Sequence, residues 1–194
     1  THTPRADSER RQKLAEGVKS MSKVEEIKRQ AVRLMADKGF EAMSLRQLAA
    51  ALGVHSGSVY HHYESKGQLL LDVHCEFLEN LLSTWLEQRR KRFDSVRMLQ
   101  RFVSVYVSFH YARLAESRIV QLDFRSLDEA GRAQVSELRA QYDAELKTIL
   151  QTGEQRGVFK FADLQSTHLA MFCVMQGVCA GETLPEVRAL EVCL

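Results

Sequence analysis

The sequence contains only two prolines, and both lie near its ends, at Pro4 and Pro185. Proline is the residue that most strongly interrupts a helix, so almost all of the 194 residues are free to be helical. Alternating apolar and polar runs bounded by turn residues, which are typical of strands, are also missing. The sequence therefore predicts an all-α fold.

Cysteine is scarce, and long apolar runs are absent. The four cysteines, Cys75, Cys173, Cys179 and Cys193, lie in apolar helical patterns without CxxC spacing, which predicts buried, reduced thiols rather than a redox or metal site. No apolar run approaches the ~20 residues that a membrane-spanning helix needs. The first residues are polar and charged, without the apolar core of a signal peptide. We therefore expect a cytoplasmic protein that makes no membrane contact.

Sequence motifs of catalysis are missing as well. The chain has no nucleophile elbow, HExxH pair, Walker loop or dinucleotide fingerprint. An enzyme that uses cysteine and histidine, or a pure protein–protein adaptor, would leave the features described below unexplained. We predict a protein that is not an enzyme and has no catalytic residue, no cofactor and no metal site.

The positive charge is concentrated in the N-terminal third of the chain. Residues 1–70 contain 12 Lys/Arg and 8 Asp/Glu, a charge of +4, whereas residues 71–194 contain 15 and 17, a charge of −2. This asymmetry is typical of a DNA-contacting module attached to a near-neutral body. Residues 1–21 lack a sustained apolar stripe, and we interpret them as a basic flexible arm that is either a DNA contact or a solvated tail.

A first helix is predicted to begin at Ser22, because Glu25 completes a capping box three residues later. Gly39 is predicted to end this helix. Its apolar residues fall on one face at helical spacing. They are Ile27, Ala31, Leu34 and Met35.

A second and a third helix follow at once. Ser44 and Gln47 form another capping box, and Gly53 is predicted to end the helix that they begin. Only a short turn separates this helix from a third one over residues 57–63. Two short helices joined through a glycine-containing turn are typical of a helix-turn-helix.

The remainder of the chain predicts further helices, for a total of about nine. One helix has inward apolar positions from Val96 to Leu114, and another, Leu164–Cys179, is apolar nearly all round. The predicted helices start after Ser65, at Asp94, near Ile119 (through Leu127), at Asp128, at Asp163 and at Pro185. The last of them is short, as expected of a chain that continues past Leu194.

The sequence GFEAMSLRQLA at residues 39–49, LGV at 52–54 and GSVYHHYESK at 57–66 closely resembles the DNA-binding domain of the tetracycline-repressor (TetR) family. This resemblance covers roughly residues 22–70, and the rest matches that family only in length and helical pattern. It implies an N-terminal three-helix domain that binds DNA and a larger helical domain that dimerises and binds a small effector. The implied boundaries are residues 1–21, 22–67 and 68–194.

The resemblance also implies which residues contact DNA. Ser44 and Lys66 would hold phosphates, and Tyr60 and His62 would touch the backbone. Arg46 is the best candidate for a bidentate contact to guanine. The implied DNA-binding residues are Ser44, Arg46, Ser56, Gly57, Ser58, Tyr60, His61, His62 and Lys66.

Two positions depart from the family pattern. A small hydroxyl residue is usual in place of His55, and a basic residue or proline is common in place of Ser56, so the operator sequence is left open. A zinc site formed by His55, His61 and His62 is disfavoured, because adjacent helical residues diverge by about 100°.

Three histidines, His74, His110 and His168, lie on apolar stripes of three separate predicted helices. Each is either an edge residue with an ordinary hydrogen bond or a polar group in an apolar pocket, and a shared metal is a third alternative. The predicted effector pocket consists of His74, Phe102, Tyr106, Phe109, His110, Gln121, Arg125, His168, Phe172 and Gln176.

A helix that is apolar all round must be covered on both sides. The resemblance implies that Leu164–Cys179 and the segment from Pro185 form a four-helix dimer interface, and the alternative is a central helix of one subunit. The sequence thus predicts a homodimeric repressor whose binding to double-stranded operator DNA is controlled by a small, mostly apolar effector. The alternative is an architectural or division-linked DNA-binding protein without a ligand.

Overall fold

The computed structural model describes residues 22–90 and 92–180, and these residues form eight α helices and one 3-10 helix with no strand. The all-α prediction is confirmed. The predicted arm, the helix expected from Pro185 and Cys193 lie outside the described residues. The helices are α1 (Lys23–Lys38), α2 (Leu45–Ala51), α3 (Ser56–Tyr60), α4 (Lys66–Gln88), α5 (Ser95–Ala112), α6 (Leu114–Leu122), the 3-10 helix (Asp123–Ser126), α7 (Glu129–Gln155) and α8 (Leu164–Ala180).

Both predicted capping boxes are confirmed. The Ser22 hydroxyl accepts from the Glu25 amide at 3.2 Å, and the Ser22 amide donates to the Glu25 carboxylate at 2.6 Å. Ser44 and Gln47 form the same pair of bonds at 3.2 and 2.9 Å. These bonds satisfy amides that a helix start otherwise leaves unpaired, and so they fix where α1 and α2 begin.

The three N-terminal helices share one small core. Ile27, Ala31 and Met35 of α1 are buried against Leu48 of α2 and Val59 of α3. After α1, Gly39 has a φ of 83°, which a residue with a side chain rarely adopts, and its amide donates to the Met35 carbonyl at 2.8 Å. The chain can therefore turn sharply from α1 towards α2.

Helix α4 contacts both the first helix, α1, and the later helices α5, α6 and α7. Its N-terminal part packs against α1, and its length packs against α5, α6 and α7. Phe77, Leu81 and Trp85 are buried on its inner face, and α8 covers α5 and α7 farther from the N-terminal helices. No helix in the described ranges is both long and apolar enough to cross a membrane.

Several predicted details differ from the structure. Helix α3 ends at Tyr60 rather than at 63, because the ring of Tyr63 turns inward against α4 and the chain forms a turn at 61–62. Leu114 is 52% exposed, since α5 ends at Ala112 and Leu114 becomes the first residue of α6.

Two residues that were predicted to face the interior are exposed instead. Val96 is exposed in the first turn of α5. Cys173 is exposed on α8, whereas Cys75 and Cys179 are buried as predicted. The segment predicted near Ile119–Leu127 is divided between α6 and the 3-10 helix.

Candidate DNA interface and ligand cavity

Helix α3 presents a polar surface on one side and a buried anchor on the other. Val59 is fully buried, and Tyr63 just after the helix is nearly so. The six residues of this segment that are predicted to contact DNA all remain accessible: Gly57, Tyr60 and His61 are exposed, and Ser56, Ser58 and His62 are half-buried. The structure therefore leaves each of them available to a partner.

The imidazole rings of His61 and His62 have centroids 5.2 Å apart and planes inclined at 73°. Within the part of the chain that the structure describes, no group of three histidine, cysteine or carboxylate side chains could hold a metal ion. These rings are better suited to separate hydrogen bonds with a polyanion than to one shared cation.

Ser44 and Arg46 lie at the start of α2, and both are exposed. The Ser44 hydroxyl is the cap described above, so its free lone pair and the nearby helix amides face solvent together. Such a helix start binds anions well. The phosphate contact of Ser44 and the base contact of Arg46 stay predictions.

In the structure, Lys66 has hydrogen-bond partners within the protein that the sequence did not predict. Its ammonium donates to the carbonyls of Phe40 and Glu41 at 3.2 and 3.0 Å and to the Glu41 carboxylate at 3.2 Å. It also lies 4.5 Å from the centroid of the Phe40 ring. Lys66 thus fastens the start of α4 to the turn between α1 and α2, and its predicted phosphate contact stays a prediction.

A second set of polar contacts joins the N-terminal helices to α4. The ammonium of Lys28 contacts the carboxylate of Glu76 and lies 3.5 Å from that of Asp72. The hydroxyl of Tyr63 donates to Asp72 at 2.5 Å. We call Lys28, Tyr63, Asp72 and Glu76 the junction cluster.

The two carboxylates of the junction cluster stabilise the positive charge of Lys28. Burial opposes the charge on Lys28, but the hydrogen bond that Lys28 donates to Glu76 and the charge of Asp72 outweigh it, and the pKa of Lys28 is raised. Burial, and then the bond to Asp72, raise the pKa of Tyr63. Asp72 and Glu76 are one turn apart on α4, a spacing that the sequence shows, but only the fold reveals their partners.

A cavity of about 190 Å³ lies inside the larger half, between α4, α5, α6, α7 and α8. Its walls from α4 are apolar and include Leu78 and Leu81. Six of the ten residues predicted for an effector pocket line it: Tyr106, His110, Gln121, His168, Phe172 and Gln176.

Four predicted pocket residues do not line this cavity. His74 is fully buried, and its Nδ1 lies 2.9 Å from the Leu70 carbonyl. Phe102 is enclosed by Trp85 and other rings, with the Trp85 centroid at 5.1 Å. Phe109 packs against Phe77 at 5.1 Å between ring centroids, and Arg125 is exposed on the 3-10 helix.

Sequence reasoning missed the polar wall that α7 supplies. Arg139, Tyr142 and Asp143 line the cavity together. Their spacing places them on one helical face, which is the signal that was available. Arg139 donates to the Val120 carbonyl at 2.9 Å, and burial lowers its pKa and raises that of Asp143.

His110 is held as a neutral ring at the cavity wall. Its imidazole stacks on Tyr106 with centroids 4.0 Å apart, and its Nδ1 lies 2.8 Å from the Tyr106 carbonyl. Burial lowers the pKa of His110 to about 4. The bond to a carbonyl requires the proton on Nδ1, so Nε2 is an acceptor at neutral pH.

Comparison with known proteins agrees with both halves of the structure. Residues 27–73 match the tetR family of bacterial regulatory proteins, and residues 94–180 match the tetracyclin repressor-like C-terminal domain. Together the two matches cover more than half of the chain. The HTH-type transcriptional repressor KstR2 of Rhodococcus jostii is 28% identical over 131 residues, which are 67% of this chain and 64% of KstR2.

Solved structures show the same fold. The crystal structure of AibR in complex with isovaleryl coenzyme A and operator DNA has a TM-score of 0.78 at 18% identity, covering 88% of this chain and 95% of AibR. The transcriptional regulator FadR of Bacillus subtilis, in complex with stearoyl-CoA, has a TM-score of 0.73 at 19% identity, covering 86% and 95%.

The lowered pKa of His110 predicts a specific pH dependence of stability. Between its unfolded pKa of about 6.5 and its folded value of about 4, the unfolded chain binds a proton that the folded protein excludes. The free energy of unfolding should fall across this interval by about 3 kcal/mol, at ~1.4 kcal/mol per pH unit. Denaturant unfolding at pH 7, 6, 5 and 4 measures it.

The His110→Asn variant should lose this part of the pH dependence, because asparagine takes up no proton. His61→Asn, at an exposed position, is the matched control and should keep it. An identical pH dependence in wild type and His110→Asn would show that His110 is not held neutral by the fold.

Proposed function

Since the chain belongs to the tetR family of bacterial regulatory proteins, we propose that it is a transcriptional repressor that binds operator DNA as a homodimer in the bacterial cytoplasm. We propose further that an acyl thioester of coenzyme A in the cavity releases it from the operator. The observation that carries the proposal is the common role of α4, which holds the N-terminal helices at one end and lines the cavity with its middle.

The DNA-binding part of the proposal is supported by the accessible face of α3. Tyr60 and His62 offer short polar groups that suit phosphate contacts, and Arg46 at the start of α2 offers a planar guanidinium that suits a guanine edge. The excess of positive charge in residues 1–70 favours approach to DNA.

The dimer is supported by an uncovered apolar face on α8. Leu169, which borders the cavity, is 59% exposed, and Val174 is 45% exposed. A second copy that covered this face would pair two α3 helices, which must lie ~34–36 Å apart to enter successive major grooves.

The effector class is supported by the cavity and by the two solved relatives that hold acyl-CoA molecules. The walls combine apolar side chains with a few polar groups, the usual composition of a small-molecule site. The volume of about 190 Å³ lies below the ~300–1,000 Å³ of most ligand pockets, which favours a short acyl group over a long one.

Release requires that the effector prefer one arrangement of α4 over another, because a ligand shifts an equilibrium only by its differential affinity. Phe77 and Leu78 of α4 border the cavity, and Asp72 and Glu76 of the junction cluster lie less than two turns earlier. A small movement of α4 at the cavity is therefore transmitted to the helix-turn-helix.

We predict that Arg46→Ala and Tyr60→Phe weaken DNA binding in different ways. Arg46→Ala should lose ~1–3 kcal/mol of discrimination at one base pair of an operator selected from random DNA. Tyr60→Phe should weaken binding to every sequence by a similar factor, about 0.5–1.5 kcal/mol, because a phosphate contact carries no base information. Fluorescence anisotropy with single-base-pair operator variants measures both.

Both side chains are exposed, so neither change should lower the melting temperature, which serves as the control. A uniform loss for Arg46→Ala together with a sequence-selective loss for Tyr60→Phe would contradict the assignment. Failure to select any operator at low salt would contradict the proposed function itself.

We predict that isovaleryl-CoA raises the melting temperature of the free protein and lowers its operator affinity, and that free coenzyme A does neither. Binding to the folded state stabilises it by mass action, and linkage requires the operator to oppose the effector in return. Stearoyl-CoA should have a smaller effect, because the cavity is small. Operator binding without any response to acyl-CoA molecules would instead favour a ligand-independent DNA-binding protein.

A further inference from the structure

Two polar side chains on neighbouring helices line the cavity without hydrogen-bond partners. Tyr142 of α7 is 3% exposed and His168 of α8 is 5% exposed. Within residues 22–90 and 92–180, the Tyr142 hydroxyl has no hydrogen-bond partner, and neither ring nitrogen of His168 makes a well-formed hydrogen bond, although the backbone of Asp143 is near enough to raise the pKa of His168. Buried polar groups are nearly always paired, so two unpaired ones at a single cavity point to a missing partner.

These two groups flank the same aromatic ring. The centroid of Phe172 lies 5.0 Å from that of His168 and 6.4 Å from that of Tyr142. Other polar groups of the wall are engaged by the protein itself: Arg139 donates to the Val120 carbonyl, and the Gln121 amide donates to the Ser117 hydroxyl at 3.3 Å. Among the side chains that line the cavity, Tyr142 and His168, on either side of Phe172, are the ones with fully buried polar atoms left unpaired.

The charges around the cavity indicate which kind of ligand atom can accept hydrogen bonds from these two groups. Burial lowers the pKa of His168 and raises that of Tyr142, so both are neutral at pH 7 and each carries a hydrogen to donate. The Asp143 carboxylate and the Lys147 ammonium both act on His168, and Lys147 and Arg139 both act on Asp143. Because Asp143 already places a negative charge next to these neutral donors, they suit an uncharged oxygen acceptor better than a second carboxylate, which Asp143 would repel.

We infer that the cavity recognises its effector through an uncharged carbonyl oxygen, which accepts hydrogen bonds from the Tyr142 hydroxyl and from a ring N–H of His168. This inference rests on the proposed function, in which that oxygen is the thioester carbonyl of an acyl-CoA. The acyl chain then lies among the apolar side chains of the walls, and the hydrogen bonds to the thioester carbonyl distinguish the thioester from other acyl compounds. The regulator therefore distinguishes an activated acyl group from the free acid.

A pair of ligands that differ only in this oxygen tests the inference. Isothermal titration calorimetry compares isovaleryl-CoA with its thioether analogue S-(3-methylbutyl)-CoA, in which a CH₂ group replaces the carbonyl. The wild type should bind the thioester about tenfold more tightly, since losing the acceptor leaves both donors unpaired. In Tyr142→Phe the ratio should fall towards one, through weaker binding of the thioester alone.

Tyr111→Phe is the matched control, because its hydroxyl donates to the Val178 carbonyl at 3.4 Å and the residue does not line the cavity. It should keep the wild-type ratio. Without any ligand, Tyr142→Phe should raise the melting temperature, since it removes an unpaired buried hydroxyl, and Tyr111→Phe should not. A lower melting temperature for Tyr142→Phe would overturn the inference by showing that the hydroxyl already has a partner.

The ligand outcomes separate two kinds of failure. Equal wild-type affinity for the thioester and the thioether would overturn the carbonyl contact and leave acyl-CoA as the effector. Isovalerate binding as tightly as isovaleryl-CoA would overturn the preference for an uncharged oxygen. Binding of neither coenzyme A derivative, with operator binding intact, would overturn the proposed effector and the inference with it.

Discussion

The arrangement of the N-terminal helices depends on two carboxylates one turn apart on α4. Asp72 and Glu76 surround the ammonium of Lys28, and Asp72 also accepts the hydroxyl of the buried Tyr63. One short stretch of α4 thereby holds both α1 and the turn that follows α3. Lys28 is the most enclosed charge, with its side chain 16% exposed against 40% for Asp72 and 45% for Glu76, so removing a carboxylate would leave a largely buried ammonium with fewer partners. A movement of this part of α4 is therefore expected to change the position of the helix-turn-helix.

The same helix is the floor of the cavity. Immediately after the junction cluster, Phe77 contacts His110 edge to face at 5.1 Å between ring centroids, and Leu78 and Leu81 complete the apolar wall. Interiors as closely packed as this one change between discrete arrangements rather than deform smoothly. The cavity opens to solvent beside the exposed Leu169 and Gln176, so a ligand acts on the DNA-binding surface to the extent that it presses on the α4 wall, which is connected to that surface.

Local signals in the sequence predicted most of the fold and only part of the site. Capping boxes at Ser22 and Ser44 act over three residues, so the sequence alone located both helix starts. The positions of Lys66 and Lys28 depend on partners 25 to 48 residues away along the chain, and no local pattern encodes those pairings. The sequence likewise cannot distinguish a helix face that borders the cavity from one that is buried in the core, so His74 was predicted to line the cavity although it lies in the core. The sequence places Tyr142 on the apolar stripe of its helix, with Leu146 and Leu150, but nothing local shows that this stripe borders a cavity, and Arg139 reads as an ordinary exposed charge until the other helices pack around it.

The central claim is that α4 couples the cavity to the operator through the junction cluster. The most direct test is the ratio of operator dissociation constants with and without saturating isovaleryl-CoA, measured in wild type, Lys28→Met and Lys28→Arg. We expect a large ratio in wild type and a ratio near one in Lys28→Met, with unchanged affinity for isovaleryl-CoA. Lys28→Arg, which keeps the charge, should retain much of the wild-type ratio. An undiminished ratio in Lys28→Met would show that the coupling runs elsewhere and would contradict the account.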